Sequence, residues 1–421
     1  MRRHSLLLPG VPPFLFGLVV ALRGANSAAS WPHGVGMRIS MISAALVAAL
    51  VGYGSTIALV LAAAAAVSAT PAQTVSWVLA VCFAKAAGSA WLSWWHRVPV
   101  VLAWSTPGAA LIAATSGISM AEAVGAFVVA ALLIVATGAI RPLGRLVALI
   151  PDGIAAGMLA GVLLPFCLKG AAAAQALPML VLPMVAVFAA VRLFNPALAV
   201  LAALATGVVL ALIATTAALP DLAFALPHPV FIMPEFRPAV LLGLGVPLYL
   251  VTMASQNLPG FAVLRSAGYA PPVRTALAVS GGISALAAFF GAHTVNMAAI
   301  TAAICMGDDV HPDRGQRWKV GLVYGGVWVC LGLLGPVLIA VLAALPAALI
   351  TAIVALALLS PLMGALAGAF AQPDQRFAAT VTLAVTGSGI AAFGIGAAFW
   401  GLVAGLACWG MERAKLRRSG S

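Results

Sequence analysis

Residues 40–66 run without one charged side chain, and comparable stretches recur along the rest of the chain. A hydrocarbon core about 30 Å thick is crossed by about 20 apolar residues in helical conformation. Repeated many times over, such runs exceed what a soluble core can bury. Only 7% of the 421 residues are charged, against 64% hydrophobic, too little charge to cover a water-facing surface. The pattern predicts an all-α polytopic membrane protein whose main partner is the lipid bilayer, with no stretch long enough for a separate soluble domain.

The net charge of +12 would suggest nucleic acid in a soluble protein. Here the Lys and Arg residues stand singly between apolar runs and in a final cluster from Arg413 to Arg418. That spacing reads as membrane topology, and no aromatic-basic surface accompanies it, so nucleic acid is excluded as a partner. Cys82, Cys167, Cys305, Cys330 and Cys408 lie in apolar runs without CxxC spacing. They read as small buried hydrophobes, with no disulfide framework, metal or cofactor implied.

Hydropathy and breakers divide the chain into fourteen segments: 40–66, 74–94, 98–117, 119–139, 151–169, 175–193, 197–218, 238–257, 272–290, 292–306, 317–333, 337–369, 376–393 and 395–411. The twelfth holds a short linker helix and a span. With the N-terminus inside, the inner loops carry Arg97, Arg141, Arg145, Arg192, Arg265, Arg274, Arg314, Arg317, Lys319 and Arg376. The outer loops carry only Lys169, Asp221, Glu235 and Arg237. This asymmetry predicts both termini in the cytoplasm of a bacterial-type inner membrane. Residues 1–37 have a basic start, but Pro9, Pro12 and Pro13 interrupt their apolar run. They are expected to form a cytoplasmic extension with an interfacial helix, and residues 413–421 a basic cytoplasmic tail.

The halves echo each other. Pro142 matches Pro336, Pro151 matches Pro346, Pro71 matches Pro271, and "STPGAALIAA" from Ser105 matches "VNMAAITAAI" from Val295, all at offsets of 190 to 200 residues. Seven spans separate the copies, and an odd number inverts the second in the membrane. The expected domains are therefore a seven-span repeat over 38–218 and an inverted one over 236–412, a transporter signature.

Two segments break the helical pattern at matched places. "VPVVLAWST" and "AHTVN" suit extended strand, and each leads into a short helix of small residues, "PGAALIAA" and "MAAITAAI". Pro107 suits a first helical turn. Ser105 or Thr106, and Asn296, stand where an N-cap is expected, with the second helix starting at Met297. Irregular backbone at membrane depth belongs inside protein or along a wet cavity, and two helix N-termini there attract an anion. A third polar break, Ser255, Gln256 and Asn257, precedes Pro259 and Gly260 in the eighth segment. Its counterpart is "GYGSTIAL" from Gly52, which brings in Tyr53 and Ser55. Intramembrane polar groups of this kind serve either helix packing or substrate binding.

"WSTPGAAL", "TMASQNLPGFAVLRSAGY" and "NMAAITAAICMG" closely resemble the benzoate–proton symporter (BenE-type) family, over nearly the whole chain after about residue 38. That family is distantly similar to the nucleobase–cation symporters. The resemblance implies a seven-plus-seven inverted repeat with core and gate domains, and third and tenth segments built as strand plus half-helix. It also implies a homodimer and proton-coupled import of benzoate or a related aromatic carboxylate by alternating access. Carried over by position, the substrate-binding residues are Ser105, Thr106, Pro107, Ser255, Gln256, Asn257, His293, Thr294, Asn296, Tyr53 and Ser55. Nucleobase permeases hold acids in the eighth and tenth spans, where this chain has Ser255 or Gln256 and Val295; buried acids would repel a carboxylate. Trp104, Tyr53 and Phe289 are candidates to hold the ring.

The proton has three candidate carriers. His293 has an ordinary pKa of about 6.5, suited to coupling. Glu122 begins the fourth span, where an acid also suits a helix first turn. The third is the substrate's own carboxyl. Lys85, in the second span, either snorkels or pairs. Other substrates on the same fold, a nucleobase or an inorganic anion, remain alternatives, as does an anion channel. An enzyme is excluded by the lack of a Walker sequence, an HExxH motif or a paired acid site within a span.

Overall fold

The computed structural model describes residues 38–140, 150–196, 198–214, 226–298 and 300–419. The expected extension 1–37, the loop with Arg141, Pro142 and Arg145, and Asp221 lie outside the described residues.

The first half contains α1 (Ile39–Ala66), α2 (Pro71–His96), β1 (Leu102–Trp104), α3 (Thr106–Ala113), α4 (Met120–Ala139), α5 (Asp152–Ala176), α6 (Pro178–Phe194) and α7 (Ala199–Ala214). The second contains α8 (Pro238–Ser266), α9 (Val273–Ala288), β2 (Val295–Met297), α10 (Ile300–Ile304), α11 (Lys319–Leu333), α12 (Gly335–Ala343), α13 (Ala347–Ala369), α14 (Arg376–Gly387) and α15 (Ala397–Ser419). Six of these helices are long and apolar enough to cross a membrane, or seven if α11 and α12, bent by 56° at their break, form one span.

Local chemistry sets the ends. Thr70 and Ser119 cap α2 and α4 as full capping boxes with Gln73 and Glu122, each satisfying two otherwise orphaned backbone groups. Arg97 closes α2 in the left-handed region, φ 54°, and turns the chain back into β1. The helix α8 is not regular. It holds two π turns, Leu241–Gly245 and Met253–Asn257, and a proline follows each by two residues, Pro247 and Pro259. Proline cannot donate to the i−4 carbonyl, and a π bulge accommodates the disturbed ladder while re-aiming side chains. The polar break at Ser255–Asn257 thus lies inside one continuous helix.

The helices pack as α2 on α11, α4 on α9, α5 on α13 and α14, α14 on α15, and α6 on α7. The elements β1 and β2 form an antiparallel two-stranded sheet with Leu102 opposite Met297, Ala103 opposite Asn296 and Trp104 opposite Val295. Gly260 allows α8 to reach this sheet: a Cβ there would lie 2.5 Å from the Met297 Cβ and 3.0 Å from the Ala298 carbonyl oxygen.

Candidate substrate site

A two-stranded sheet deep in an apolar bundle has two outer edges whose N–H groups need partners. Serines from the preceding helices supply them. Ser89 of α2 accepts from the Leu102 N–H at 2.9 Å, and Ser284 of α9 accepts from the Val295 N–H at 2.8 Å. Tyr324 donates to the Leu102 carbonyl at 3.0 Å. The ladder extends past both strands, with Ser105 N donating to Thr294 O at 3.1 Å and Ala298 N to Val101 O at 2.9 Å.

From this sheet α3 departs. Ser105 is its N-cap and accepts from Gly108 N at 3.1 Å; Thr106 and Pro107 occupy the first turn. The Ser105 hydroxyl also bonds Thr252 at 3.0 Å, and Thr252 bonds Thr294 at 3.0 Å, so one hydroxyl chain ties α3, α8 and the approach to β2. Asn296 differs from its expected role. It lies within β2 and caps nothing, because the ladder holds Val295–Met297 extended and α10 starts only at Ile300. Its amide donates to Met297 O at 2.8 Å and, at 3.4 Å, to Gln256 Oε1. Asn257, in turn, accepts from the Met297 N–H at 2.9 Å.

A cavity of about 590 Å³ opens beside these elements. It is lined from α1, α2, β1, α3, α8, α10 and α11 and from α5, α7 and α13. Of the substrate-binding and ring candidates singled out in the sequence, Ser55, Trp104, Thr106, Pro107, Ser255 and Gln256 line it. Tyr53, Ser105, Asn257, His293, Thr294 and Asn296 do not reach its surface; they stand behind it, and all six are buried. Phe289 lies elsewhere, stacked on Phe231 with ring centres 5.7 Å apart, because the tight turn at Phe289–Gly291 carries it away from β2. Residues missed in the sequence also line the cavity: Thr56, which bonds Thr106 at 3.1 Å, Thr301, Tyr324 and, at the exposed rim, Asp152. Ser89 and Ser284 had a readable signal, a serine 11 to 13 positions before each strand.

Lys85 neither snorkels nor pairs with an acid among the described residues. It is 1% exposed and lines the cavity. Its ammonium stands 2.9 Å from the Trp328 ring centre and 4.1 Å from that of Trp104, in an aromatic cluster completed by Tyr53 and Tyr324.

The two protein candidates for the proton both have structural partners. Trp77 Nε1 donates to His293 Nδ1 at 2.9 Å. An indole only donates, so this contact assigns the histidine proton to Nε2. Glu122 accepts from Ser119 N at 2.7 Å as part of the capping box and from Arg237 at 3.0 Å. On this geometry Glu122→Gln keeps the capping box, as Gln73 does at α2, loses only the Arg237 ion pair, and is expected to lower stability by no more than about 1 kcal/mol. The pH dependence of uptake should stay unchanged. An altered pH profile in the folded variant would make Glu122 a participant in coupling.

Residues 36–411 match the family model described as BenE, benzoate membrane transport protein. The chain belongs to the BenE family. It is 40% identical over 367 residues to the inner membrane protein YdcO of Escherichia coli, covering 87% of this chain and 94% of that one. To a protein of Acinetobacter baylyi named benzoate membrane transport protein it is 33% identical over 322 residues, covering 76% and 82%. Among solved structures, the transmembrane domain of the cyanobacterial bicarbonate transporter BicA superposes with a TM-score of 0.54 at 13% identity, covering 88% of this chain and 98% of that one. SLC26A9 superposes with 0.57 at 14% identity, covering 98% and 72%. Those identities establish a shared fold. This BenE-family chain is a multi-pass membrane transporter of the bacterial inner membrane, and not an enzyme.

Proposed function

We propose that the chain imports benzoate or a related aromatic carboxylate with a proton, by alternating access. The observation that carries this reading is the cavity between two groups of helices, lined by Trp104, Pro107 and Leu159 for a ring and by Thr56, Thr106, Ser255, Gln256 and Lys85 for a carboxylate. A mostly apolar pocket with a few convergent polar groups suits a small aromatic anion, and the first turn of α3 adds its dipole. The name of the Acinetobacter baylyi relative agrees with that substrate.

The fourteen-segment layout belongs to the same reading. Inverting α1–α7 onto the second half pairs α2 on α11 with α9 on α4, and α6 on α7 with α14 on α15; both members of each pair occur. Ser89 and Ser284 perform the same task on β1 and β2. The core domain then comprises the first four segments of each repeat and the gate domain the last three, with both termini cytoplasmic. The exposed rim residues Asp152 and Pro196 adjoin loops assigned to the inner side, so the cavity opens inward. Kinship with nucleobase–cation symporters and a homodimeric assembly are part of this proposal.

The fold shared with a bicarbonate transporter and with murine Slc26a9, titled an anion transporter, supports a second reading, transport of a small inorganic anion. Binding to purified protein separates the two. Benzoate and hydroxybenzoates are expected to bind and compete with one another, while uracil, bicarbonate and chloride leave benzoate binding intact. Displacement by bicarbonate but not by hydroxybenzoate would replace the first reading with the second.

A further inference from the structure

Lys85 is a basic side chain with no acid beside it among the described residues. It is buried on α2, lines the cavity, and meets no carboxylate among the described residues. Among the described residues, the titratable groups that share its surroundings are Tyr53 of α1, Cys82 of its own helix, His293 before β2 and Tyr324 of α11; none is a carboxylic acid. Asp152 is at the exposed rim of the same cavity. The faces of Trp104 and Trp328 attract an ammonium but carry no net charge to neutralise it. A buried charge ordinarily has a partner, and leaving one without its counter-ion is expensive. In a membrane interior an ionisable side chain without a structural partner marks a ligand path. The cavity provides the open side of this cage.

We propose that Lys85 is the counter-ion for the carboxylate of the transported substrate, and so the residue that makes the cavity select an anion over its neutral analogue. This rests on the aromatic-carboxylate reading above. In the loaded state the carboxylate sits against Lys85, with the hydroxyls of Thr56 and Thr106 on the same wall, and the aromatic ring takes the apolar remainder. Trp104 and Trp328 hold the ammonium in place, so the pair forms without a search among rotamers of a long side chain.

The test compares benzoate with benzamide, which keeps the ring and lacks the charge, on purified protein by calorimetry, with thermal unfolding as the check of folding. Lys85→Met and Lys85→Gln are expected to weaken benzoate at least 100-fold while benzamide binding stays within about threefold of wild type. Lys85→Arg, which keeps the charge, retains benzoate within about tenfold. Benzoate binding within threefold of wild type in either neutral variant overturns the assignment. So does loss of benzoate from a folded Lys85→Arg that still binds benzamide. The substrate reading fails separately: wild type would then bind chloride or bicarbonate and not benzoate. Loss of that anion from Lys85→Met would uphold the pairing, and its retention would sink both.

Discussion

Uptake of labelled benzoate into cells making this protein is expected to fall to the level of cells lacking it when a protonophore collapses the proton gradient. Benzoate is a carboxylate, and a carboxyl with a pKa near 4 is about 0.1% protonated at pH 7. Entry of the anion against its gradient therefore needs a coupled driving force. One pH unit across the membrane is worth about 1.4 kcal/mol per proton, enough for a tenfold accumulation. If one proton accompanies one carboxylate, no net charge moves, and the membrane potential does not contribute. Nigericin, which dissipates the pH difference, should then abolish accumulation. Valinomycin with external potassium, which dissipates the potential, should leave most of it. Accumulation that survives both would remove proton coupling from the proposal, and equilibration without accumulation would favour a channel.

The second large effect is at Asn257, a residue outside the cavity surface. Its side chain accepts from the Met297 N–H at 2.9 Å, and both residues are buried. Asn257→Ala leaves that N–H without its acceptor, at a cost of about 1–3 kcal/mol. It also frees β2 from the π turn that carries Ser255 and Gln256 into the cavity. A lower unfolding temperature is expected, together with a benzoate affinity reduced about tenfold. Ser255→Ala is the contrast: that hydroxyl donates to the Val251 carbonyl of its own helix at 2.5 Å, a bond that contributes little to helix stability. Its unfolding temperature should stay near wild type. If Asn257→Ala matches wild type in stability and affinity, the side chain is not the anchor of β2.

Only part of the site is legible in the sequence. Ser105 and Pro107 follow local rules, an N-cap and a first-turn proline, and local rules are visible in a single chain segment. Asn296 obeys no such rule. It sits in an N-cap context by sequence, yet the ladder with β1 holds its backbone extended, and β1 lies almost two hundred positions away. Phe289 was expected beside Trp104 on chemical grounds, but the turn before β2 directs it toward Phe231. The hydroxyl chain from Ser105 through Thr252 to Thr294 joins three elements and leaves no mark in any one of them.

By itself the sequence determined that this chain lives in a bilayer, where the backbone breaks, and which family it belongs to. Each follows from properties carried locally or by direct likeness: apolar runs as long as the membrane is thick, polar residues and prolines inside those runs, and three motifs held in order. Only the tertiary structure decided which polar residues face the cavity and which hold the ones that do. It also decided that Lys85, one basic residue in an apolar helix, stands on the cavity wall without an acid beside it among the described residues. Burial and partnership are properties of the packed chain, because they depend on what distant segments bring to the same few ångströms. A lone lysine in a hydrophobic run reads the same whether its charge reaches the lipid surface, a carboxylate or a cavity.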